Sequence, residues 1–428
     1  MSVFRSIRVK ALFDTVSINL KGRKENKMKH FIKLSFLILT VVLAFGVGGV
    51  RSEEGVTDDS VKIGVISDLT GPTAIGGIGM ADGIISYFKE VNAAGGIHGR
   101  KIEVIVEDCA YAPARAVSAA KKLIAKDEVF ALVSPWGTAP TTALFPIAKK
   151  EKIPIAPACA LATSVYDPLK KYVFAAGTNY VDQSLFIADY AVNELKLKSP
   201  KIAIFCQDDD WGRDHIKGLE MARKKYNLPP IAVETYKYDA VEFKSQVLNL
   251  MKAKPDVVIV ASGIKSGAMF LKEAHKMKWK ATFIGGNTLG FLVTLKLAGA
   301  YGDGLLVVNI FAMPDEDVPG MKRLVAASKK YFGDKWEPAN VKIHPYYVYG
   351  WLNASIFAEG LKLAGKDLTR DGFVKALEGM QNFDPEGIMG PISYSPTSHG
   401  SPGYARMVKG DTKNMRFIPL TDWKYVEK

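Results

Sequence analysis

The chain has 428 residues, of which 48% are hydrophobic and 24% are charged. This length predicts about two or three domains, and the composition is that of a globular protein, which excludes disorder for most of the chain. The net charge of +13 is concentrated at one end, because residues 1–52 hold ten Lys and Arg and two acidic residues, which leaves +5 for 53–428. The remaining cations alternate with acidic residues, so we expect no nucleic-acid partner.

The first element in chain order is a targeting segment. Lys29 and Lys33 precede the uncharged run LSFLILTVVLAFG (34–46), and small residues follow it. A charged region, a short apolar run and a small-residue region form the layout of a secretory signal, which we place at 28–52. The run is short for a membrane span of about 20 residues, and an uncleaved anchor is the alternative. We assign no fold to the upstream extension, 1–27.

The cysteine content bears on how the exported protein is held together. The chain has three cysteines, Cys109, Cys159 and Cys206. An odd number leaves at least one thiol unpaired within a monomer, so a disulfide framework is excluded. Roughly 370 mature residues are enough to build a core by burial alone.

Short apolar runs alternate with helical patterns from residue 61 onward. The predicted strands of a first series are 61–69, 101–108, 129–134 and 153–158, and the predicted helices between them are 80–96, 112–127 and 141–152. A second series has predicted helices at 181–196, 212–226, 242–253 and 266–277 and predicted strands at 201–210, 231–238, 256–263 and 281–287. This alternation is typical of βαβ units, so we predict an α/β fold with two doubly wound lobes.

The C-terminal part of the sequence has a different character. Segments 317–332 and 345–364 are strongly helical, and 383–403 is irregular and rich in Pro and Gly. A helical block after the second series predicts that the chain returns to the first lobe, so each lobe is built from two separate stretches. No low-complexity linker is visible, which favours short crossings between the lobes.

Two segments contain residues that bear on nucleotide and metal binding. The glycines of GGIGMADG (76–83) follow a strand, but their spacing does not match a dinucleotide fingerprint, and Asp82 would oppose a pyrophosphate at the helix start. The acidic residues of QDDDWGRD (207–214) could hold a cation, although capping of the following helix is the favoured interpretation. We therefore expect no cofactor and no metal.

Catalytic motifs are also missing from the sequence. The six histidines are isolated, and neither H-E-x-x-H nor G-x-S-x-G occurs. Cys159 in PACALATS (157–164) is more typical of a buried, inert thiol than of a nucleophile. The sequence therefore predicts no enzyme.

The turns that follow the predicted strands share one composition. They are rich in Gly, Ser, Thr, Asn and aromatic residues: 68–77, 134–142, 156–164, 207–212, 260–267 and 285–290. Ligands of open α/β sheets lie at this edge, where hydroxyls and helix-start N–H groups suit an anion such as a carboxylate. Trp136 and Trp211 supply flat apolar surfaces there. The turns predict a binding cleft and not a reaction centre.

The order of several motifs resembles one known family. VKIGVISDLTGP (61–72), VNAAGGIHGRKIEVIVED (91–108), ALVSPWGT (131–138), DDDWGRD (208–214) and WKATFIGGN (279–287) are similar to extracytoplasmic solute-binding proteins of the leucine/isoleucine/valine-binding type. The resemblance covers about 60–425. It implies the type I periplasmic-binding fold, in which two α/β lobes joined by three crossings close on a ligand for an ABC importer. It implies lobe 1 at 56–175 and 311–388 and lobe 2 at 176–310 and 389–428.

The resemblance also implies where a ligand carboxylate would bind. In amino-acid-binding members, hydroxyls and N–H groups of two strand-end turns hold it. The first turn corresponds to Gly137 and Thr138, and the second lies near Cys159, Ala160 and Thr163.

Six further positions complete the candidate ligand-binding residues of the cleft, of which Asn287 and Gly76 depart from the family pattern as described below. The lobe-two aromatic residue of the family corresponds to Trp211, and a further first-lobe aromatic residue falls near Tyr346. Trp136 and Gly263 lie in the strand-end turns described above. Trp136 and Trp211 would enclose the apolar body of the ligand.

Three departures from the family pattern matter. The acidic partner of the ligand α-amino group is replaced by Asn287, which has no charge to pair with an ammonium. An aromatic residue of the first loop is replaced by Gly76, which we expect to enlarge the pocket. Tyr111 and Gly137 stand where some members have a disulfide.

These features lead to one main functional hypothesis. We expect a monomeric, extracytoplasmic protein that binds a small ligand and delivers it to the permease of an ABC importer. The ligand is a branched-chain or other hydrophobic amino acid, or a related carboxylate or amide. A sensor of the same fold is one alternative, which needs an output domain. A hydrolase of small amides is another, which needs a nucleophile or metal in the cleft.

Overall fold

Two β-sheets organise the chain. The computed structural model describes residues 53–333, 345–401 and 403–426. The predicted secretory signal and the upstream extension lie outside these described residues. Of the helices within them, none combines the length and the apolar character needed to cross a membrane.

The first sheet has five parallel strands and forms the centre of the first lobe. Its strands are β1 (Ser60–Ser67), β2 (Lys101–Asp108), β3 (Ala131–Leu132), β4 (Ile155–Ala158) and β5 (Val173–Ala175), in the order β2-β1-β3-β4-β5. The helices between them are α1 (Ala74–Ala93), α2 (Pro113–Ala125), α3 (Thr138–Thr142) and α4 (Phe145–Glu151). Ile63 of β1 lies opposite both Val104 and Ala131, which fixes the register at the middle of the sheet.

The second sheet forms the centre of the second lobe and is mixed. Its parallel strands are β6 (Ile202–Gln207), β7 (Ala232–Tyr236), β8 (Val257–Ala261), β9 (Thr282–Gly285) and β10 (Leu306–Asn309). Antiparallel strands β11 (Tyr404–Asp411), β12 (Arg416–Pro419) and β13 (Lys424–Tyr425) complete the sheet, whose order is β12-β11-β10-β9-β8-β6-β7 with β13 on β11. Its helices are α5 (Tyr180–Asp189), α6 (Asp210–Tyr226), α7 (Lys244–Lys252), α8 (Ile264–Lys276) and α9 (Leu292–Ala298).

The chain crosses between the lobes three times. It leaves the first sheet after β5, and it returns after β10 to form α10 (Pro319–Phe332), α11 (Pro345–Ala364) and α12 (Arg370–Glu378). Helices α10 and α11 pack on α1, and the third crossing then leads to β11. Ala175 pairs with Gly400, so the first and third crossings lie side by side. The predicted α/β fold with two lobes is confirmed, whereas the predicted lobe boundaries stay a prediction.

Burial explains why these segments form strands. Residues Val257–Ala261 of β8 are completely buried on both faces, as expected for a central parallel strand covered by helices. The runs on β6 and β10 are buried in the same way. The central strands of the second sheet are therefore covered on both faces, which leaves the turns at their ends as the accessible part of the sheet.

Several elements differ from those that the sequence predicts. Helix α1 begins at Ala74, inside the glycine-rich segment that we expected to be a turn. A Cβ atom at Gly83 would lie 2.1 Å from the carbonyl oxygen of Tyr347, so glycine allows α1 to pack directly on the α11 backbone. The predicted helix 141–152 is two short helices, α3 and α4, and α4 begins with Pro146 in its first turn, where proline is tolerated. Strands β5 and β10–β13 and helices α9 and α12 had no counterpart in the sequence prediction.

Candidate ligand-binding site

A small cavity of about 60 Å³ lies between the strand-end turns of the two lobes. It has room for only a few water-sized groups. The first lobe contributes Thr73, Tyr111, Trp136, Gly137, Thr138, Cys159, Leu161, Tyr346 and Tyr349, and the second contributes Tyr180, Trp211, Gly263, Asn287 and Thr288. None of these lining residues is an Asp, Glu, Lys or Arg. We call this space the inner cavity.

Trp136 is held rigidly by the first lobe. Its backbone N–H donates to the carbonyl of Ile66 (2.9 Å), so the turn after β3 stays attached to the sheet. Its indole Nε1 donates to Thr73 Oγ1 at 2.7 Å, and that hydroxyl donates to Asp68 at 2.6 Å. The ring meets Tyr346 edge-on at 4.5 Å between centroids. We call Asp68, Thr73 and Trp136 the first-lobe wall.

Gly137 makes the tight turn between Trp136 and helix α3. It has a φ of +80°, and a Cβ atom there would lie 2.5 Å from Cε2 of Tyr111, so a larger residue would be strained and would collide with that ring. Its N–H donates to the carbonyl of Cys159 (3.1 Å) and is therefore engaged within the protein. Helix α3, which begins at Thr138, has five residues. Thr138 is buried at the inner cavity, and its hydrogen bond to Tyr180 offsets part of the rise in the Tyr180 pKa that burial causes.

The second predicted turn divides into residues that reach the inner cavity and residues that do not. Cys159 lines the cavity, and burial raises the pKa of its thiol to about 12. Ala160 is buried and does not line it. Thr163 points to the other lobe, where its hydroxyl donates to Asp214 Oδ1 at 2.9 Å and its N–H donates to Oδ2. The structure therefore does not bring Ala160 and Thr163 to the cavity, and their contact with a ligand stays a prediction.

Trp211 lies in the first turn of α6, directly after β6. Asp209 caps this helix by accepting a hydrogen bond from the Gly212 N–H (3.2 Å), which confirms the capping interpretation of the acidic segment. The Trp211 side chain is 6% exposed and packs near Tyr180, with 5.8 Å between ring centroids. Its Nε1 is buried and has no hydrogen-bond partner among the described residues.

Asn287 lines the same side of the inner cavity, and His215 packs near Trp211 without lining the cavity. Asn287 follows β9 and is 9% exposed, and its Oδ1 is buried without a partner within the described part of the chain. His215 follows Trp211 by one helical turn, and its Nδ1 lies 2.8 Å from the Ser184 hydroxyl. Burial lowers the pKa of His215 to about 3, so the ring is neutral, and its Nε2 has no partner among the described residues. We call Trp211, His215 and Asn287 the second-lobe wall.

Gly76, Gly263 and Tyr346 lie where the inner cavity continues into a second space of about 100 Å³ at the mouth of the cleft. The expectation that Gly76 enlarges the pocket needs correction. A Cβ atom at Gly76 would lie 2.5 Å from Cη2 of Trp136 and 2.9 Å from Cδ2 of Tyr346. These two rings already fill the room that a side chain at position 76 would occupy.

Hydrogen bonds connect the lobes around the inner cavity. Besides the pair formed by Thr163 and Asp214, Ser164 Oγ donates to Asp210 (3.1 Å). Gln207 Nε2 lies 3.2 Å from the Tyr111 hydroxyl and 2.7 Å from Asp209. The cleft is therefore closed in this structure.

Sequence reasoning missed six of the residues that line the inner cavity. They are Thr73, Tyr111, Leu161, Tyr180, Thr288 and Tyr349. Tyr349 follows the predicted Tyr346 by three residues on one helix, and this spacing places both on one face. No sequence pattern pointed to Tyr180. It begins the helix that follows the first crossing and lies in none of the strand-end turns from which the site was predicted.

The described residues bring together no metal-binding cluster and no disulfide. Within 53–333, 345–401 and 403–426 we find no group of three or more His, Cys, Asp or Glu side chains that could hold a metal ion. Cys109, Cys159 and Cys206 are buried and unpaired.

The family model for periplasmic binding protein matches residues 60–414. The chain belongs to the periplasmic binding protein family. Both the predicted family and the type I fold are thereby confirmed. Membership gives this periplasmic binding protein a solute-binding role and a location outside the cytoplasm.

Individual relatives show how far the similarity extends. Leu/Ile/Val-binding protein homolog 7 of Brucella abortus (strain 2308) is 25% identical over 339 residues, which cover 76% of this chain and 83% of the relative. The leucine-specific-binding protein of Salmonella typhimurium is 22% identical over 375 residues, which cover 87% and 93%.

Solved structures share the fold of this periplasmic binding protein. A fatty acid ABC transporter substrate-binding protein from Thermomonospora curvata matches with a TM-score of 0.78 and 25% identity, covering 89% of this chain and 96% of that one. A branched chain amino acid ABC transporter from Thermus thermophilus with bound valine matches with a TM-score of 0.78 and 21% identity, covering 86% and 97%. The solutes in these names differ from one another, so the similarity alone does not name the solute of this chain.

Proposed function

We propose that this periplasmic binding protein captures a small solute between its lobes and delivers it to the permease of an ABC importer. The inner cavity is the observation that carries the proposal. Strand-end turns of both sheets form it, and interlobe hydrogen bonds close it. Six aromatic residues surround it: Tyr111, Trp136, Tyr180, Trp211, Tyr346 and Tyr349. Such an enclosed apolar site with a few polar groups is typical of small-molecule binding.

The lining indicates the chemistry of the solute. Aromatic rings favour an aliphatic or aromatic body, and each ring contact contributes about 0.5–1.5 kcal/mol beyond the area that it buries. We propose a hydrophobic amino acid, or a related carboxylate or amide, with its body between Trp136 and Trp211. Thr138 and Asn287 would contact its polar head.

Closure of the lobes supplies a mechanism for delivery. A solute that contacts both lobes stabilises the closed form by its differential affinity for that form. The closed form would present surfaces of both lobes to the permease at the membrane. We propose that the protein acts as a monomer, exported through the segment at 28–52, with lobe boundaries at 56–175 with 311–388 and at 176–310 with 389–428.

A thermal-shift panel tests the binding role. The purified protein is heated with branched-chain amino acids, aromatic carboxylates, short amides and urea in turn. A solute that binds the native state raises the unfolding midpoint in proportion to the logarithm of its concentration above the Kd. We expect at least one class to do so, and a panel without a stabilising solute would contradict the proposed role.

Uptake by whole cells tests the delivery role. Deletion of the gene should abolish accumulation of the radiolabelled solute that stabilises the protein most. Re-expression of the protein should restore accumulation. Equal uptake with and without the protein would contradict delivery while leaving binding intact.

A further inference from the structure

Two residues that line the inner cavity, both more than nine-tenths buried, each have a buried polar atom without a partner among the described residues. Trp211 Nε1 is a hydrogen-bond donor, and Asn287 Oδ1 is an acceptor. Each is without a partner among the described residues, although buried polar groups are nearly always paired. At the inner cavity, Trp211 and Asn287 therefore offer one donor and one acceptor that are unpaired among the described residues.

The charge of the lining restricts what can pair with these atoms. The inner cavity is lined by no ionisable acid or base other than tyrosine hydroxyls and the Cys159 thiol, among the described residues. Burying an ionised carboxylate or ammonium without a counter-ion is costly. Asp209 lies behind the lining, where it caps α6 and accepts a hydrogen bond from Gln207 Nε2 (2.7 Å). Its carboxylate is therefore already engaged within the protein.

The strand-end turns were expected to hold an anion, but several of their hydrogen-bond donors are already used within the protein. The Gly137 N–H donates to the Cys159 carbonyl, and the helix that begins at Thr138 has only five residues. The Thr163 hydroxyl and N–H, which belong to the second turn near which the family resemblance places a ligand carboxylate, donate to Asp214. The Gly137 N–H and both polar groups of Thr163 are thus occupied by the protein.

We infer that the solute has an uncharged head of the amide type, whose carbonyl accepts from Trp211 Nε1 and whose N–H donates to Asn287. An amide carries one strong acceptor and one or two donors on adjacent atoms, which matches the two unpaired groups. The small inner cavity favours a primary amide with a short apolar body. This inference rests on the proposed solute-binding function and narrows its substrate class.

A series of ligands with one body and different heads tests the inference. Isobutyramide, isobutyrate, isobutylamine and valine share the isopropyl group and present a neutral, an anionic, a cationic and a zwitterionic head. Each is titrated into the purified protein by isothermal titration calorimetry at pH 7. We expect isobutyramide to bind at least about tenfold more tightly than the other three, because these bury an uncompensated charge.

Two substitutions test the assigned hydrogen bonds. Trp211→Phe keeps an aromatic ring and removes the donor, so it should weaken isobutyramide about fivefold. Asn287→Asp places a carboxylate beside the head, so it should weaken isobutyramide and strengthen isobutylamine. Trp279→Phe is the matched control, because Trp279 packs on Phe270 and Phe283 and lines neither space of the cleft. Circular dichroism melts establish that each variant is folded.

The outcomes separate the two proposals. Tighter binding of valine or isobutyrate than of isobutyramide would overturn the neutral head while leaving the solute-binding function standing. Unchanged isobutyramide affinity in folded Trp211→Phe would overturn the assigned donor. Absence of isobutyramide binding at millimolar concentration would overturn the inference as well. The solute-binding function itself fails only if the wider thermal-shift panel also contains no stabilising solute.

Discussion

The two walls of the cleft differ in whether their buried polar groups have hydrogen-bond partners within the protein. In the first-lobe wall, the Trp136 indole donates to Thr73, and Asp68 accepts from the Thr73 hydroxyl and from two backbone N–H groups. In the second-lobe wall, Trp211 Nε1, His215 Nε2 and Asn287 Oδ1 are buried without partners among the described residues. Two tryptophans that face one cavity thus differ in whether the protein completes their hydrogen bonding.

This difference assigns the walls different physical roles. A buried polar group that is left unpaired costs about 1–3 kcal/mol, so the second-lobe wall lowers the stability of the empty closed form. A solute that pairs Trp211 Nε1 and Asn287 Oδ1 recovers their share of that cost when it binds. In the first-lobe wall, the side chains of Asp68, Thr73 and Trp136 all have hydrogen-bond partners within the protein. These bonds therefore fix the position of Trp136 whether or not a solute is present.

Substitutions that remove hydrogen bonds from the first-lobe wall should lower the free energy of unfolding the most. Asp68→Ala removes the acceptor of three hydrogen bonds, from the Gly71 N–H (2.6 Å), the Thr73 N–H (2.8 Å) and the Thr73 hydroxyl (2.6 Å). Because the substitution removes a fully buried carboxylate and leaves three donors on the half-buried Gly71 and Thr73 without their acceptor, we expect a loss of about 3–5 kcal/mol in the free energy of unfolding. Urea denaturation followed by circular dichroism measures it.

A surface aspartate provides the control for this change. Asp58→Ala in the same lobe removes an exposed carboxylate and should alter the free energy of unfolding by less than about 0.5 kcal/mol. If Asp68→Ala were no more damaging than Asp58→Ala, the first-lobe wall would not depend on its internal hydrogen bonds.

The second-lobe wall should instead be sensitive to acid. His215 has a pKa of about 3 in the folded state because it is buried, against 6.5 when exposed. The unfolded state therefore binds a proton more readily, so the stability contributed by His215 is present above pH 6.5 and is lost as the pH falls toward 3. Between pH 7 and 4.5 this group should cost roughly 2–3 kcal/mol of unfolding free energy.

Substitution of the histidine isolates its share of the pH dependence. His215→Gln cannot titrate, so its free energy of unfolding should fall less between pH 7 and 4.5 than that of the unaltered protein. Asp209 and Asp214, whose pKa values burial raises, act in the opposite direction and remain in both proteins. Parallel pH profiles for the two proteins would show that the ring is not buried in its neutral form.

The fold could largely be predicted because buried apolar residues recur in the sequence with the period of a strand or a helix. Strand β2 occupies the predicted 101–108, and α11 occupies the predicted 345–364. The start of α1 could not be predicted, because its glycines are helical only where α11, far along the chain, packs against them. Strand β10 has four residues, too few to show a period.

The position of the cleft was predictable, whereas its pairing pattern was not. Trp136 and Trp211 each follow a strand and precede a helix, and this local arrangement is sufficient to place both at the cleft. Whether an indole N–H finds a partner depends on contacts such as that between Trp136 and Thr73, which are distant in sequence. Thr163 shows the same limit, because its partner Asp214 belongs to the other lobe.

The closed form of the cleft should be destabilised by removing a hydrogen bond between the lobes. Asp214→Asn replaces a carboxylate that accepts from both the hydroxyl and the N–H of Thr163 by an amide with one acceptor. The loss of a charge-assisted bond should cost the closed form about 1–2 kcal/mol and weaken the best solute of the thermal-shift panel by roughly five- to thirtyfold. Isothermal titration calorimetry measures the affinity.

An exposed neighbour supplies the comparison for this substitution. Asp208 precedes the same helix, and its carboxylate lies 3.7 Å from Arg213 with the side chain 59% exposed. Asp208→Asn should leave the affinity unchanged, because exposed ion pairs contribute little. Equal losses in both variants would point to the overall charge of the helix and not to the contact with Thr163.

The smallest expected change in stability comes from making the same Trp→Phe substitution in each wall. This pair compares the two walls most directly. Trp136→Phe and Trp211→Phe remove the same atoms from side chains that are 4% and 6% exposed. The first breaks the bond to Thr73, and the second removes a donor that has no partner among the described residues. Without solute, Trp136→Phe should therefore be less stable than Trp211→Phe by about 1 kcal/mol in urea denaturation, since the lost ring volume is common to both. If both variants lose the same stability, the two indoles are equally satisfied, and the distinction between the walls is wrong.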